Sequence, residues 1–298
     1  MKRFFKNESA SATFLVTISF TGLLALTGLV VDGGLLYSTH SHLQKSANAA
    51  ALSGGQELTR DDEVIIENIV EETLDHHEEL DSLMDTIVVL DERVTVNLKK
   101  PTDTTFMRLF GIDSIDVNVK ATARIGQMGR AMGAAPLGID ESVELNYGEE
   151  YTLKVDEDGV EAGNFGVLAL DGPGSKTYKE TLISGFDEML EVGNVIDTQT
   201  GNIAGPTEEA TDILVNSCDD MYERDCPRVL LVPVYKPHDY DQNQMKQVEI
   251  TGFAYFYLTE PMDGDTKEIK GQFLERTGSG HELDEAVERG AFIVRLTD

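Results

Sequence analysis

Tryptophan is absent from this chain, cysteine occurs twice and proline eight times in 298 residues. Two cysteines exclude a small disulfide-dense scaffold. With no histidine near them they also exclude a cysteine-based zinc site. Positive charge is scarce: 24 Lys and Arg stand against 54 Asp and Glu, for a net charge of −30. That sign excludes nucleic acid as a partner, because phosphate recognition needs the opposite one. It suits a hydrated exterior in which salt screens the self-repulsion. The signatures G-x-S-x-G and H-E-x-x-H are missing too, and with them the common nucleophile-elbow and zincin chemistries.

Long hydrophobic runs are rare as well, and the one present organises the chain. Residues 12–31 read ATFLVTISFTGLLALTGLVV, without a charge, Pro, Asn or Gln. Twenty helical residues cross a hydrocarbon core of about 30 Å. Lys2, Arg3 and Lys6 precede the run, with Glu8, and leave +2 there and −32 from Asp32 onward. Basic residues stay on the cytoplasmic side, so the N-terminus is expected inside and everything past Asp32 outside. A cleaved signal peptide is the competing reading. Its apolar region is usually 7–15 residues and ends at a small-x-small site, whereas this exit reads VVDGGLLYST. A buried helix of a soluble protein would need a polar face, which this run lacks.

Helical spacing continues past the run. Leu36, Leu43, Ala47, Ala50, Gly54 and Leu58 follow one another at spacings of 7, 4, 3, 4 and 4, which is helical, with Gly33 and Gly34 as the place for a kink. Two rows of small residues, Ser46, Ala50, Gly54 and Ala47, Ala51, Gly55, run along this extension. Small residues four apart let another element approach closely. Packing on the protein's own sheet and packing against helices of an assembly are both open. A helix over 12–58 would be about 70 Å long, and Gly54 and Gly55 would each cost it about 1 kcal/mol. In an oxidising exterior Cys218 and Cys226 can close a short disulfide loop; two free thiols are the alternative.

Val31, Asp32, Gly33, Gly34, Tyr37, Leu43, Gln44 and the Ala-rich stretch from Ala47 to Leu52 stand in a recognisable order after the apolar span. In that order the first sixty or so residues resemble the N-terminal segment of the TadE/TadG-like family of tight-adherence (Flp) pilus assembly proteins. The resemblance implies a single-pass protein related to pilin-like subunits or assembly factors of a secretion or adhesion apparatus. Its partners would be the lipid bilayer and other subunits reached through the N-terminal helix. Two family features do not carry over. Pilin-type processing uses a Glu at the fifth mature position, but Glu8 precedes the apolar run here. The Asp-x-Ser-x-Ser metal motif of members with a von Willebrand A domain is absent.

Beyond the long helix, Asp61–Leu83 has apolar residues mostly at helical spacing, with Asp61 and Asp62 suited to its start. Residues 86–90 and 93–98 read as a hairpin turning at Asp91-Glu92. Residues 104–109 read as a short helix ending near Gly111, and 115–125 as an alternating strand. That order also resembles the TadE/TadG-like ectodomain. GQMGRAMG, residues 126–133, reads as a linker. Further on, strands are expected at 151–155, 165–170, 229–234, 248–257, 271–274 and 292–295, with helices near 178–190 and 207–215. The motifs at 163–166, 168–178 and 201–207 resemble a C-terminal module of bacterial proteins with this anchor, and no activity attaches to it.

The expected fold class is α+β. A single transmembrane helix continues into a long extracytoplasmic helix, followed by a small α+β unit and a β-rich C-terminal domain. The expected division is a basic cytoplasmic tail (1–11), the transmembrane helix (12–31), a pilin-like α+β region (32–125), a linker (126–135) and an acidic β-rich domain (136–298). No catalytic residue, cofactor or metal is assigned. GPGSKT at 172–177 lacks the G-x-x-x-x-G-K-[ST] spacing and reads as a turn. The acidic turns at 156–159 and 263–265 lack the calcium-loop spacing. His76 and His77 diverge on a helix, and His238 has no nucleophile motif beside it. Phe253, Tyr255, Phe256 and Tyr257 read as core rather than a sugar platform. The expected function is a membrane-anchored assembly component of a Flp-type pilus or related secretion apparatus. A tethered extracytoplasmic binding or sensing module at the cell wall is the alternative, and an exported hydrolase has no residue in its favour.

Overall fold

A computed structural model describes residues 8–154, 165–199, 203–241 and 244–297. The tail residues 1–7, the acidic turn 156–159, and parts of the motifs at 163–166 and 201–207 lie outside the described residues. Helices Glu8–Gly55 (α1) and Glu63–His76 (α2) come first, then strands Leu83–Val89 (β1), Arg93–Asp103 (β2), Ser114–Ala131 (β3), Leu137–Asp140 (β4), Glu150–Lys154 (β5) and Phe165–Val167 (β6). Helix Ser175–Ser184 (α3), strands Leu190–Glu191 (β7) and Val195–Asp197 (β8), and helix Ala204–Val215 (α4) follow. The chain closes with Val229–Asp241 (β9), Gln244–Asp263 (β10), Glu268–Leu274 (β11), Arg276–Thr277 (β12), His281–Glu282 (β13) and Ala291–Thr297 (β14). The architecture is α+β, with one long apolar N-terminal helix and two sheets.

α1 runs unbroken for 48 residues, about 72 Å, straight through Gly33 and Gly34. α2 starts where the Asp62 carboxylate accepts from the Val64 and Ile65 amides at 3.0 and 3.4 Å. It ends at His76, short of the expected Leu83, and buries Ile66, Val70 and Leu74, one residue per turn.

The first sheet has the order β1-β2-β3-β14-β12, with β7 and β13 on the far end of β3. The hairpin of β1 and β2 pairs Val89 with Arg93 across Asp91 and Glu92. The expected linker is strand: β3 continues through residues 126–131 to Ala131. Its first half alternates, and Val117, Val119, Ala121, Ala123 and Ile125 face α1 and α2 in one core. Its second half places Met128 and Ala131 in a different core, shared with the second sheet. β14, from the region expected to be a separate C-terminal domain, completes the first sheet by pairing antiparallel with β3. That pairing sets Arg295 opposite Arg124, with Arg93 on the other side of Arg124. Glu282 resolves the repulsion by accepting from both Arg124 (2.9 Å) and Arg295 (2.8 Å).

The second sheet runs β5-β11-β10-β9-β4-β6, with β8 on β10. One face packs under α3 and α4 through Val232, Val234, Ala254, Phe256, Leu258 and Phe273. The other face meets β3 and β14 through Tyr235, Phe253 and Ile293. β10 shifts register between Ile250 and Gly252. The extra residue changes parity, so Val248, Ile250 and Phe253 all enter the same core. Phe253 and Phe256 are fully buried and Tyr257 nearly so, which makes this aromatic run core. α3 stops at Ser184, before the expected Leu190, because Gly185 takes a positive φ of 76°. GPGSKT is the turn into α3, with Gly172 and Gly174 at positive φ.

Candidate functional site

The site of interest is α1 itself, which changes environment twice along its length. Over residues 12–31 the apolar side chains point outward on every side: Phe14, Leu15, Leu23, Leu29 and Val30 are all exposed. Among the described residues this is the one helix long and apolar enough to cross a membrane. Its threonines need no water. Thr17, Thr21 and Thr27 donate to the carbonyls of Thr13, Thr17 and Leu23 at 2.8–2.9 Å, one turn back.

At Asp32 the surroundings change. Its carboxylate is buried, although it directly follows the apolar run. It accepts from the backbone amides of Thr105, Phe106 and Met107 at 2.7, 2.9 and 2.7 Å. Those amides open a short 3-10 turn, Met107–Phe110, which has no side-chain cap of its own; Asp32 supplies the acceptor from α1. The turn closes at Gly111, whose φ of 83° suits glycine, and the Thr104 hydroxyl donates to the Ile112 carbonyl across the loop base. The Phe106 ring lies on Gly28, where a Cβ would come within 2.6 Å of it. Loop 104–113 is thus a collar held against α1 at the C-terminal end of the apolar run. The short helix expected at 104–109 is this turn. The role of Asp32 was missed by sequence reasoning; the available signal was an acid placed directly after the span and an uncapped turn far along the chain.

Residues 33–42 remain largely exposed, Tyr37 among them; from Leu43 onward one face of the helix is enclosed. Ser46, Ala47, Ala50 and Ala51 have no exposure, and Gly54 and Gly55 are buried. The chain itself fills the small-residue rows. A Cβ on Gly54 would meet Val70 of α2 at 2.7 Å, and one on Gly55 would meet Val294 of β14 at 2.7 Å and Ala123 of β3 at 3.2 Å. Of the two packing options, the structure places these six residues against the chain's own sheet and α2. A partner helix has no room there. Glu79, buried below α2, ties the helix down further. It accepts from Lys100 Nζ at 2.5 Å and Ser82 Oγ at 2.7 Å, with His42 Nε2 of α1 at 3.4 Å. Burial pushes the Glu79 carboxyl up, but Lys100, Ser82 and His42 outweigh it and hold it below the usual glutamate range.

At the far end of α1 an open cleft of about 950 Å³ is lined by Gln56, Arg60, Tyr147, Tyr222, Arg224 and Arg276 among others. Its cations are engaged. Arg60 and Arg224 both reach Glu57 at 3.0 Å, and Arg276 donates to the carbonyls of Met221, Glu223 and Arg224 at 2.7–2.9 Å. These contacts fasten the loop closed by a disulfide between Cys218 and Cys226, whose Cα atoms are 5.6 Å apart. Elsewhere, His76 and His238 each lie near a single glutamate, Glu72 at 3.9 Å and Glu249 at 3.7 Å. Among the described residues no group of three or more His, Cys, Asp or Glu side chains is placed to hold a metal.

No curated protein and no solved structure matches the chain. The family likeness resides in the helix just described: residues 10–57 match the Tad family model, described as putative Flp pilus-assembly TadE/G-like.

Proposed function

We propose that this chain is a single-pass membrane protein serving a structural role in a Flp-type pilus or related secretion apparatus. Its N-terminus is cytoplasmic and its acidic two-sheet body lies outside. The single observation that carries this is the coincidence of the family match over residues 10–57 with a helix half bare and apolar, half built into the body. Lys2, Arg3 and Lys6 support the orientation by the positive-inside bias. The Cys218–Cys226 bridge fits an oxidising exterior.

The burial pattern supports a reading of where assembly contacts are made. Because Ala50 and Gly54 are taken up by the chain's own core, neighbouring subunits are met by the outward faces of residues 12–31, within the membrane. Single cysteines at Leu15, Leu23 and Val30, labelled with a thiol-attached photoreactive cross-linker and irradiated in native membranes, are expected to give adducts that mass spectrometry identifies as pilus or secretion subunits. Adducts confined to lipid or to the chain itself would defeat the proposal. A tethered binding module is the second reading, favoured by the Arg- and Tyr-lined cleft. Replacing residues 12–31 by an unrelated apolar span separates the two, since a tether survives the exchange and an assembly helix does not.

A further inference from the structure

The collar carries a feature that holding α1 does not require. Its tip exposes three apolar side chains: Leu109 and Phe110 are each 79 % exposed and Ile112 is 42 % exposed. Among the described residues no other large hydrophobic side chain is as exposed as Leu109 and Phe110, including those of the apolar span. Scattered exposed apolar residues need no explanation, but neighbouring ones on a fixed turn do. This turn is fixed on both sides, by three backbone N–H hydrogen bonds to the Asp32 carboxylate and by the Phe106 ring on Gly28.

The height of the tip follows from those two anchors. Gly28 lies four residues before Asp32 and inside the apolar run, about 6 Å along the helix axis below it. Phe106 therefore already reaches to the level of the span. A 3-10 turn rises about 2 Å per residue, so Leu109 and Phe110 stay within about 10 Å of that level. That is the depth at which an apolar face enters the boundary between headgroups and acyl chains. Arg108, exposed and 3.5 Å from Asp113, stands beside them as a cation able to face lipid phosphate.

We infer that Leu109 and Phe110 insert into the outer bilayer interface as a second, shallow membrane contact beside α1. The inference rests on the proposal that residues 12–31 span the membrane. The tip fixes the rotation and tilt of α1 against the bilayer, and so the direction in which the body is displayed. The occupant is lipid, since the tip continues the apolar surface of the span at the span's outer end.

The absence of tryptophan makes a direct test available. Full-length Phe110→Trp, Leu23→Trp and Tyr222→Trp are placed separately in phosphatidylcholine vesicles with and without lipids brominated near the headgroup or deep in the chains. Phe110→Trp is expected to lose about half its emission to shallow bromines and little to deep ones, as an interfacial indole does. Leu23→Trp should answer to deep bromines, and Tyr222→Trp, at the far end of α1, to neither. If Leu23→Trp is quenched and Phe110→Trp is not, the inference is overturned while the anchor stands; a tip held by a partner protein would give that result. If Leu23→Trp is also unquenched, the anchor reading falls and takes the inference with it. Because Phe110 is already exposed, the substitution leaves the core untouched.

Discussion

Single side chains decide how the helix is held. Asp32 and Glu79 are both acids with almost no exposure in a strongly acidic chain, and each is buried for its acceptors. Asp32 organises a turn seventy-odd residues away, and Glu79 links α1, β2 and the 3-10 turn Leu80–Ser82. The Glu79 carboxyl is held below the usual range, so it stabilises the fold above the glutamate value of the unfolded chain. That contribution disappears as the pH falls through its lowered folded-state value. Glu79→Gln is expected to cost about 1–2 kcal/mol at pH 7, discounted because Lys100 is 40 % exposed. In denaturation measured from pH 7 to pH 3, the gap between parent and variant should close at the acid end. Parallel curves would show that Glu79 is not the coupled group.

At the level of elements, glycine has opposite meanings along one helix. Gly34 has nothing within 4 Å of where a Cβ would be, whereas Gly55 has Val294 at 2.7 Å and Ala123 at 3.2 Å. Gly34→Ala should therefore follow helix propensity and stabilise by about 0.5–1 kcal/mol. Gly55→Ala should destabilise by about 1–3 kcal/mol, because β3 and β14 must move aside. Thermal unfolding of both variants in one detergent checks the contrast, and equal shifts of the same sign would contradict this account of the packing. The sequence showed the small-residue rows but left the neighbour open, since a close-packed sheet and a close-packed helix ask for the same residue sizes. Residues 126–131 misread for a related reason. Gly126 and Gly129 look like turn punctuation, yet a Cβ at either would run into Glu282 or Leu283, so they are strand positions where another segment crosses closely.

Across the whole molecule, the two sheets are not strung one after the other. β3 belongs to the first sheet by pairing and to both cores by its side chains, and β14 returns 160 residues later to lie beside it. The Thr277 hydroxyl donates to the Gln56 carbonyl at 2.8 Å, and Arg224 reaches Glu57. A chain ended after Arg289 would lose Phe292 and Ile293 from the cores and leave β3 with an unpaired edge. Limited proteolysis of that truncation is expected to find no resistant fragment covering residues 32–125. A stable fragment would mean that the first sheet stands without its last strand.

What the amino-acid order determined by itself was whatever depends on near neighbours. The apolar span needs only its own run of side chains. The capped start of α2, the hairpin at Asp91-Glu92 and the α+β class follow from local spacing and turn chemistry, and the resemblance to the TadE/G-like segment rests on the order of residues along one helix. Tertiary structure alone decided what Asp32 caps, what fills the rows at Ser46–Gly55, where β14 pairs and which apolar tip stands beside the span. Each of these joins residues tens to hundreds of positions apart. A carboxylate, an alanine or an edge strand carries the same local signal whichever distant partner satisfies it.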